Sequence, residues 1–262
     1  MSNLLIEQKG AVACLTLNRP EIHNAFDEHL IATLTAAVAA ASADPSVRII
    51  LLSGAGKSFS AGGDLNWMRR MAAYSPDENL ADAQGLAKLM RTIDESPKPV
   101  IARVHGAAYA GGLGLVACAD IAIGVPEAQF AITEVKLGLI PAVISPYLVR
   151  AMGVREARRW CLTAQRFSAT EAHRLGLLHA VVPAETLDAV VDAEIEALLA
   201  AAPEALADTK RLLKAVDQPL TDAVIADTAQ RIATRRASAE AREGLAAFFD
   251  KRPPHWAGES RS

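Results

Sequence analysis

Two glycine loops, each set between an apolar run and a helix-forming segment, constrain this chain more than any other feature of it. The first, Ser53-Gly54-Ala55-Gly56-Lys57-Ser58-Phe59-Ser60-Ala61-Gly62-Gly63-Asp64, follows an apolar run from Val47 to Leu52 and opens a helix at Asp64. The second, Ala110-Gly111-Gly112-Leu113-Gly114, follows Val100-Ile101-Ala102-Arg103-Val104. It leads into a short apolar helix, Leu115 to Ala119, and then a strand, Asp120 to Gly124. Missing side chains let backbone N–H groups approach a ligand closely. Two such junctions can aim one N–H each at a single point. Downstream, a lone acid, Glu134, sits among Phe130, Ile132, Val135 and Leu137. Backbone donors, a helix start and a carboxylate in apolar company are the parts of an oxyanion site with a general base.

Around these loops, strands and helices interleave up to about residue 183. Leu4–Gln8 and Ala11–Leu17 flank Lys9-Gly10 as a hairpin, closed by a turn at Asn18-Arg19-Pro20. Asp27 caps a helix through Ala43, with Leu30, Leu34 and Val38 at helical spacing. Further helices are expected over Asp64–Met71 and Asn79–Ile93, the latter stopped before Pro97 and Pro99. A helix from Ser145 ends at Gly153, another spans Arg155–Leu162, and Leu177–Val182 reads as the last strand. Then helices follow alone: Ala184–Ala201, Pro203–Val216, Leu220–Ala237 and Ala239–Asp250, with a frayed tail from Gly258. The chain reads as an α/β domain with a helical C-terminal extension, in which a β-β-α order recurs loosely. Long apolar helices at the end of a chain suit packing against a sister subunit.

Charge and composition remove several functions. The net charge of −3 and 5% aromatic content argue against a nucleic-acid surface. The one dense basic run, Arg231 to Arg236, reads as the solvated face of a helix. Cys14, Cys118 and Cys161 cannot all pair and show no metal-ligand spacing, so they read as free thiols in a reducing compartment, with no metal site. The start, MSNLLIEQKG, lacks a signal pattern. No uncharged apolar run reaches the ~20 residues of a membrane span. A cytoplasmic protein is expected.

Competing motifs are weaker. Gly56-Lys57-Ser58 resembles the end of a P-loop, but Leu51 stands where that motif needs glycine. Gly112-x-Gly114-x-x-Ala117 fits a dinucleotide fingerprint with Glu134 downstream, yet it lies beyond the strand rather than on its end. Glu134 by itself reads equally as a salt-bridged surface acid or as a partly desolvated one with a raised pKa. Asp64 reads as a helix cap and Asp120 as a backbone acceptor. The histidines lack zinc spacing, and no GxSxG elbow is present to support a hydrolytic triad.

Taken together, Asn18-Arg19-Pro20-Glu21-Ile22-His23-Asn24-Ala25, Phe59-Ser60-Ala61-Gly62-Gly63-Asp64-Leu65, the run from His105-Gly106 through Asp120, and Glu134 through Pro141 resemble the enoyl-CoA hydratase/isomerase (crotonase) family. The resemblance covers nearly the whole chain, including Glu243-Gly244-Leu245-Ala246-Ala247-Phe248-Phe249-Asp250-Lys251-Arg252. It implies a spiral of ββα units over residues 1–195, carrying the site, and an all-helical oligomerisation domain over 196–262. Assembly as a homotrimer or a dimer of trimers is implied too. So is an acyl-CoA substrate, with coenzyme A as part of it and no other cofactor. The thioester oxygen would be held by the N–H groups of Ala61 and Gly111. Ile22, His23, Ala25, Ala61, Gly62, Gly63, Asp64, Leu65, Gly111 and Lys251 would contact the substrate or its coenzyme A. Trp67, Met68, Tyr109 and Tyr147 are candidates for the acyl pocket, and equally for the core.

The sequence departs from the two-glutamate hydratase pattern at Gly114, where the first acid would stand; only the second, Glu134, remains. One-glutamate relatives include enoyl-CoA isomerases. The wording Gly-Leu-Gly-Leu, then Glu-Val-Lys-Leu-Gly-Leu-Ile-Pro-Ala-Val-Ile-Ser-Pro, most resembles bacterial methylglutaconyl-CoA hydratases. A hydratase of a 2-enoyl-CoA with Glu134 as base is therefore expected first, a 3,2-enoyl-CoA isomerase second. A non-catalytic CoA- or RNA-binding protein is the reading of another class.

Overall fold

The computed structural model describes residues 2–258; residues 1 and 259–262, and with them most of the tail expected to fray, lie outside the described residues. The chain opens with the expected hairpin, β1 (Leu4–Lys9) and β2 (Val12–Leu17), paired antiparallel. A 3-10 turn, Pro20–Ile22, leads to α1 (Glu28–Ala43), whose N-terminus is capped by Asp27 accepting from the Leu30 N–H. Then come β3 (Ile49–Gly54), β4 (Ser58–Ser60), α2 (Leu65–Met71) and α3 (Pro76–Asp94). β5 (Val100–Val104) and β6 (Ala107–Tyr109) precede α4 (Gly111–Cys118). β7 (Ile121–Gly124) and β8 (Gln129–Ala131) precede a 3-10 turn at Glu134–Leu137.

After the opening hairpin, both strands of which join the larger sheet, each turn of the spiral gives one strand to each of two sheets. The larger runs β1-β2-β3-β5-β7-β10, where β10 is Ala180–Val181. The smaller runs β4-β6-β8-β9, where β9 is Phe167–Ser168. From β2 onward the larger sheet is parallel. Parallel strands covered on both faces read as near-continuous apolar runs, as Ile49–Leu52 and Val100–Val104 do. Ile49, Ile50, Val100 and Ile101 are fully buried. None of the four strands of the smaller sheet was foreseen, because two or three residues carry no readable period.

The remaining helices lie where expected, with small shifts at some of their ends. α5 (Ser145–Thr163) is two helical segments joined at a kink, broken as expected at Gly153, whose φ of 75° and ψ of 155° are not helical. α6 (Ala169–Arg174) precedes the last strand, which is two residues long and not six. α7 (Leu187–Ala200), α8 (Pro203–Val216), α9 (Asp222–Arg236) and α10 (Ala239–Phe249) complete the described chain. On α8–α10 and their connections, Leu213, Leu220, Ile225, Leu245, Phe248 and Phe249 are each more than half exposed. The basic run on α9 is largely neutralised: Arg231 pairs with Asp227, and Arg235 meets Glu204, Asp208 and Glu240. Among the described residues no helix is long and apolar enough to cross a membrane, and no group of three or more His, Cys, Asp or Glu could hold a metal. Among the described residues Cys14, Cys118 and Cys161 form no disulfide.

Candidate active site

Three segments follow the carboxyl ends of three neighbouring strands of the smaller sheet. Ala61-Gly62-Gly63 follows β4, Ala110-Gly111 follows β6, and Glu134 lies three residues beyond β8. β4, β6 and β8 are mutually parallel, with Ser60 beside Ala108 and Tyr109 beside Ala131. Parallel neighbours deliver their exits to the same edge, the usual place for a ligand in such sheets. The first two loops touch: a Cβ built on Gly62 would lie 2.9 Å from the Tyr109 carbonyl oxygen and 3.6 Å from the Gly111 nitrogen.

The backbone donors at this edge are not quite the expected pair. The Ala61 N–H donates to the His23 carbonyl at 2.9 Å, so it is already engaged. The Gly62 N–H donates to Ser60 Oγ at 3.2 Å. Phe26 then bridges to Gly63 in parallel fashion: the Phe26 N–H donates to the Gly62 carbonyl and the Asp64 N–H to the Phe26 carbonyl. That pattern leaves the Gly63 N–H without a partner among the described residues, as is the Gly111 N–H at the first position of α4. Of the expected pair, the Ala61 N–H is therefore already engaged and the Gly111 N–H is not, and the unengaged N–H of the first loop is that of Gly63. A bridge to a residue as distant in sequence as Phe26 decides which N–H of the loop turns outward.

Ala110 sets the orientation of the Gly111 peptide. Its φ of 47° and ψ of −122° are unfavourable for a residue with a Cβ, a conformation costing of order 1–3 kcal/mol. Its own N–H is anchored to the Ala131 carbonyl at 2.8 Å. Close approach explains the next two glycines: a Cβ on Gly111 would fall 2.4 Å from Phe26 Cζ, and one on Gly112 2.5 Å from the Ser60 carbonyl oxygen.

Glu134 opens its 3-10 turn half-buried, and its Oε2 is buried with no hydrogen-bond partner. Burial raises its carboxyl above the usual glutamate range; the N–H groups of Glu134 and Thr133 offset only part of that rise. An acid with a raised pKa, on a sheet edge that also carries unengaged donors, is suited to taking and returning a proton.

The position of the missing second acid is filled. A Cβ on Gly114 would lie 2.3 Å from Ile144 Cγ2 and 3.0 Å from Met90 Cε, and Ile144 is 2% exposed. Apolar side chains occupy the space a carboxylate there would need.

The other expected residues divide. Ile22 is half-buried, Ala25 buried and His23 exposed. His23 and Asn24 have left-handed φ values of 56° and 55°, and His23 Nδ1 shares a hydrogen bond with Ser58 Oγ. Asp64 is buried and caps α2 through the Asn66 and Trp67 N–H groups, while Leu65 is exposed. Trp67 and Met68 lie against Gly63, and the Trp67 indole N–H donates to Asp82. Tyr109, half-buried, lies beneath the Arg166 guanidinium. Tyr147 does not join this group. Burial raises its hydroxyl to about 12, and it lies near the Cys118 thiol and the charged Asp94, Arg150 and Glu95, at the other end of α4 from Gly111. Lys251 is exposed just beyond α10, and among the described residues no side-chain hydrogen bond ties it to the loops. The sequence reading missed the role of Arg19, which links Asp27 and Asp64; two N-cap acids downstream of one arginine were the available signal.

A family model described as enoyl-CoA hydratase/isomerase matches residues 7–259. The chain belongs to that family. An enoyl-CoA hydratase from Shewanella pealeana superposes with a TM-score of 0.95 at 46% identity, over 97% of this chain and 96% of that one. A 1,2-epoxyphenylacetyl-CoA isomerase of Escherichia coli is 34% identical over 99% of this chain and 100% of its own length. A crotonyl-CoA hydratase of Syntrophomonas wolfei is 32% identical over 95% and 96%. The crotonase fold expected from the motifs is thus the fold of this enzyme, an α/β spiral followed by helices.

Proposed function

We propose that this member of the family adds water across the double bond of a 2-enoyl-CoA thioester. The observation that carries the reading is Glu134 Oε2, buried without a partner, on the strand edge that also presents the Gly63 and Gly111 N–H groups. The thioester oxygen accepts from those two donors. Glu134 takes a proton from water as the water oxygen bonds to Cβ, and the π electrons move onto the thioester as an enolate. The enolate then collapses as Cα takes the proton back from Glu134, because Ile144 leaves no room for a second acid at Gly114. Fixed donors of this kind typically contribute roughly 10²–10³ in rate each.

The wording around Glu134 favours a branched or carboxylated acyl chain of the 3-methylglutaconyl type, with Trp67, Met68 and Tyr109 beside it. Exposed His23 and Lys251 are the groups we assign to the coenzyme A phosphates. Residues 1–195 carry the site, and the exposed apolar side chains on the later helices suit assembly as trimers or dimers of trimers in the cytoplasm. A 3,2-enoyl-CoA isomerase is the second reading, favoured by Gly114: one carboxylate moves a proton between carbons without water. An RNA-binding role has less support, since acids neutralise Arg231 and Arg235.

The ultraviolet absorbance of crotonyl-CoA, a conjugated thioester, tests the reading. Loss of absorbance with the wild type but not with Glu134→Gln is expected. An unchanged rate in the variant removes Glu134 from the mechanism. If neither protein consumes crotonyl-CoA, 3-methylglutaconyl-CoA and a 3-enoyl-CoA separate a narrow hydratase from an isomerase.

A further inference from the structure

Arg19 is a largely buried cation that the proposed chemistry leaves unused. Its side chain is 14% exposed and forks between two carboxylates. Nη1 donates to the Ala25 carbonyl at 2.9 Å and meets Asp27 Oδ2 at 3.0 Å; Nη2 donates to Asp64 Oδ2 at 2.9 Å. Each carboxylate is shared in the same way. Asp27 Oδ1 accepts from the Leu30 N–H at the start of α1, and Asp64 Oδ1 from the Asn66 and Trp67 N–H groups at the start of α2. One guanidinium therefore ties together the first turns of two helices.

Between those caps runs Phe26. It bridges to Gly63, and its ring packs against Gly111. The backbone of Arg19 is fixed too: its N–H donates to Asn24 Oδ1, and Asn24, fully buried, donates onward to the Ala55 and Ser58 carbonyls. Burial works to raise the Asp64 carboxyl, but the two N–H groups and Arg19 outweigh it and hold the carboxyl below its usual range. Without the cation, two half-dry carboxylates would repel each other beside the donor loop.

We propose that Arg19 is a positioning residue for catalysis: by clamping Asp27 and Asp64 it holds the Gly63 N–H and, through Phe26, the Gly111 N–H in the orientation that receives a developing enolate. The proposal rests on the oxyanion reading of those two donors. A planar fork can bridge two acids and a carbonyl at once, which a lysine ammonium on a flexible stem cannot do with the same geometry.

Arg19→Lys tests this with acetoacetyl-CoA, a 3-ketoacyl thioester whose enolate absorbs in the near ultraviolet, and with butyryl-CoA as a saturated ligand. Wild type should develop the enolate band. In the variant, butyryl-CoA affinity should change less than about threefold. Its kcat and its enolate band should both fall, by ten- to a hundredfold. A full-strength band, a wild-type kcat, or equal losses in kcat and butyryl-CoA affinity would overturn the role of Arg19 alone. No band in the wild type would overturn the oxyanion reading and this inference with it. Should Arg19→Lys not fold, Asp64→Asn keeps the helix cap while weakening the clamp, and the same outcomes decide.

Discussion

The six-stranded and four-stranded sheets are wound from the same turns of chain, yet they are made of different material. In the larger sheet, β3 and β5 contribute Ile49, Ile50, Val100 and Ile101, all fully buried, in runs long enough to read without a structure. In the smaller, β4, β6 and β8 are three residues each, among them Ser58, Ser60, Tyr109 and Gln129. Both bury apolar area, the smaller through Phe59, Ala108 and Phe130, but only the smaller ends in the unengaged backbone donors and the acid of the proposed site. Stability and chemistry are placed in adjacent layers. A turn of the spiral can then change what its short strand presents while its long strand stays packed.

The largest effect that could break this division is on Glu134. Glu134→Gln should lower kcat by about 10²–10⁴ while the protein stays folded. It should also melt slightly higher at neutral pH. A carboxyl whose folded pKa is raised favours the native state below its unfolded pKa and loses that contribution as pH rises through the folded value, so the ionised acid is a cost at pH 7. For the same reason the acid limb of the pH–rate profile should lie above the ordinary glutamate value of 4.5. A variant that loses stability but keeps its rate would contradict the assignment of chemistry to this edge.

Next in size, Gly111→Ala forces a methyl to within 2.4 Å of Phe26 Cζ. Moving that donor should cost roughly 10²–10³ in kcat, measured beside butyryl-CoA affinity to separate binding from turnover. Ile101→Ala, in the larger sheet, should do the reverse: a loss of about 2–5 kcal/mol in denaturant unfolding with kcat of the folded protein unchanged. If Ile101→Ala slowed turnover as much as Gly111→Ala, the two layers would not be separable. Smallest of all, Ser75→Ala removes one half of the capping box that starts α3, on the exposed rim of the molecule. It should cost about 1 kcal/mol and leave activity alone.

Much of the larger layer was legible in advance. Apolar runs marked β2, β3 and β5, and Asp27 and Asp64 marked the starts of α1 and α2, because burial and capping act on neighbours in sequence. Glu134 and both glycine loops stood out in the sequence because few residue types suit the chemistry proposed for them. The short strands were not, since their register comes from strands elsewhere in the chain. That the Ala61 N–H is engaged while the Gly63 N–H is not was hidden likewise, being decided by the bridge to Phe26. For Tyr147, read equally as pocket or core, the contacts favour the core, against which it packs with Arg150 over its ring.

The contact between Gly114 and Ile144 also constrains how this lineage can change. A codon change that put glutamate at 114 would collide with Ile144 Cγ2 before it could offer a proton. A chain carrying that change alone meets a folding penalty first, so selection would see a poorer protein rather than a better catalyst. The road to a two-acid site passes through residue 144: a smaller side chain must arrive there beforehand, and would have to persist on its own merits while 114 is still glycine.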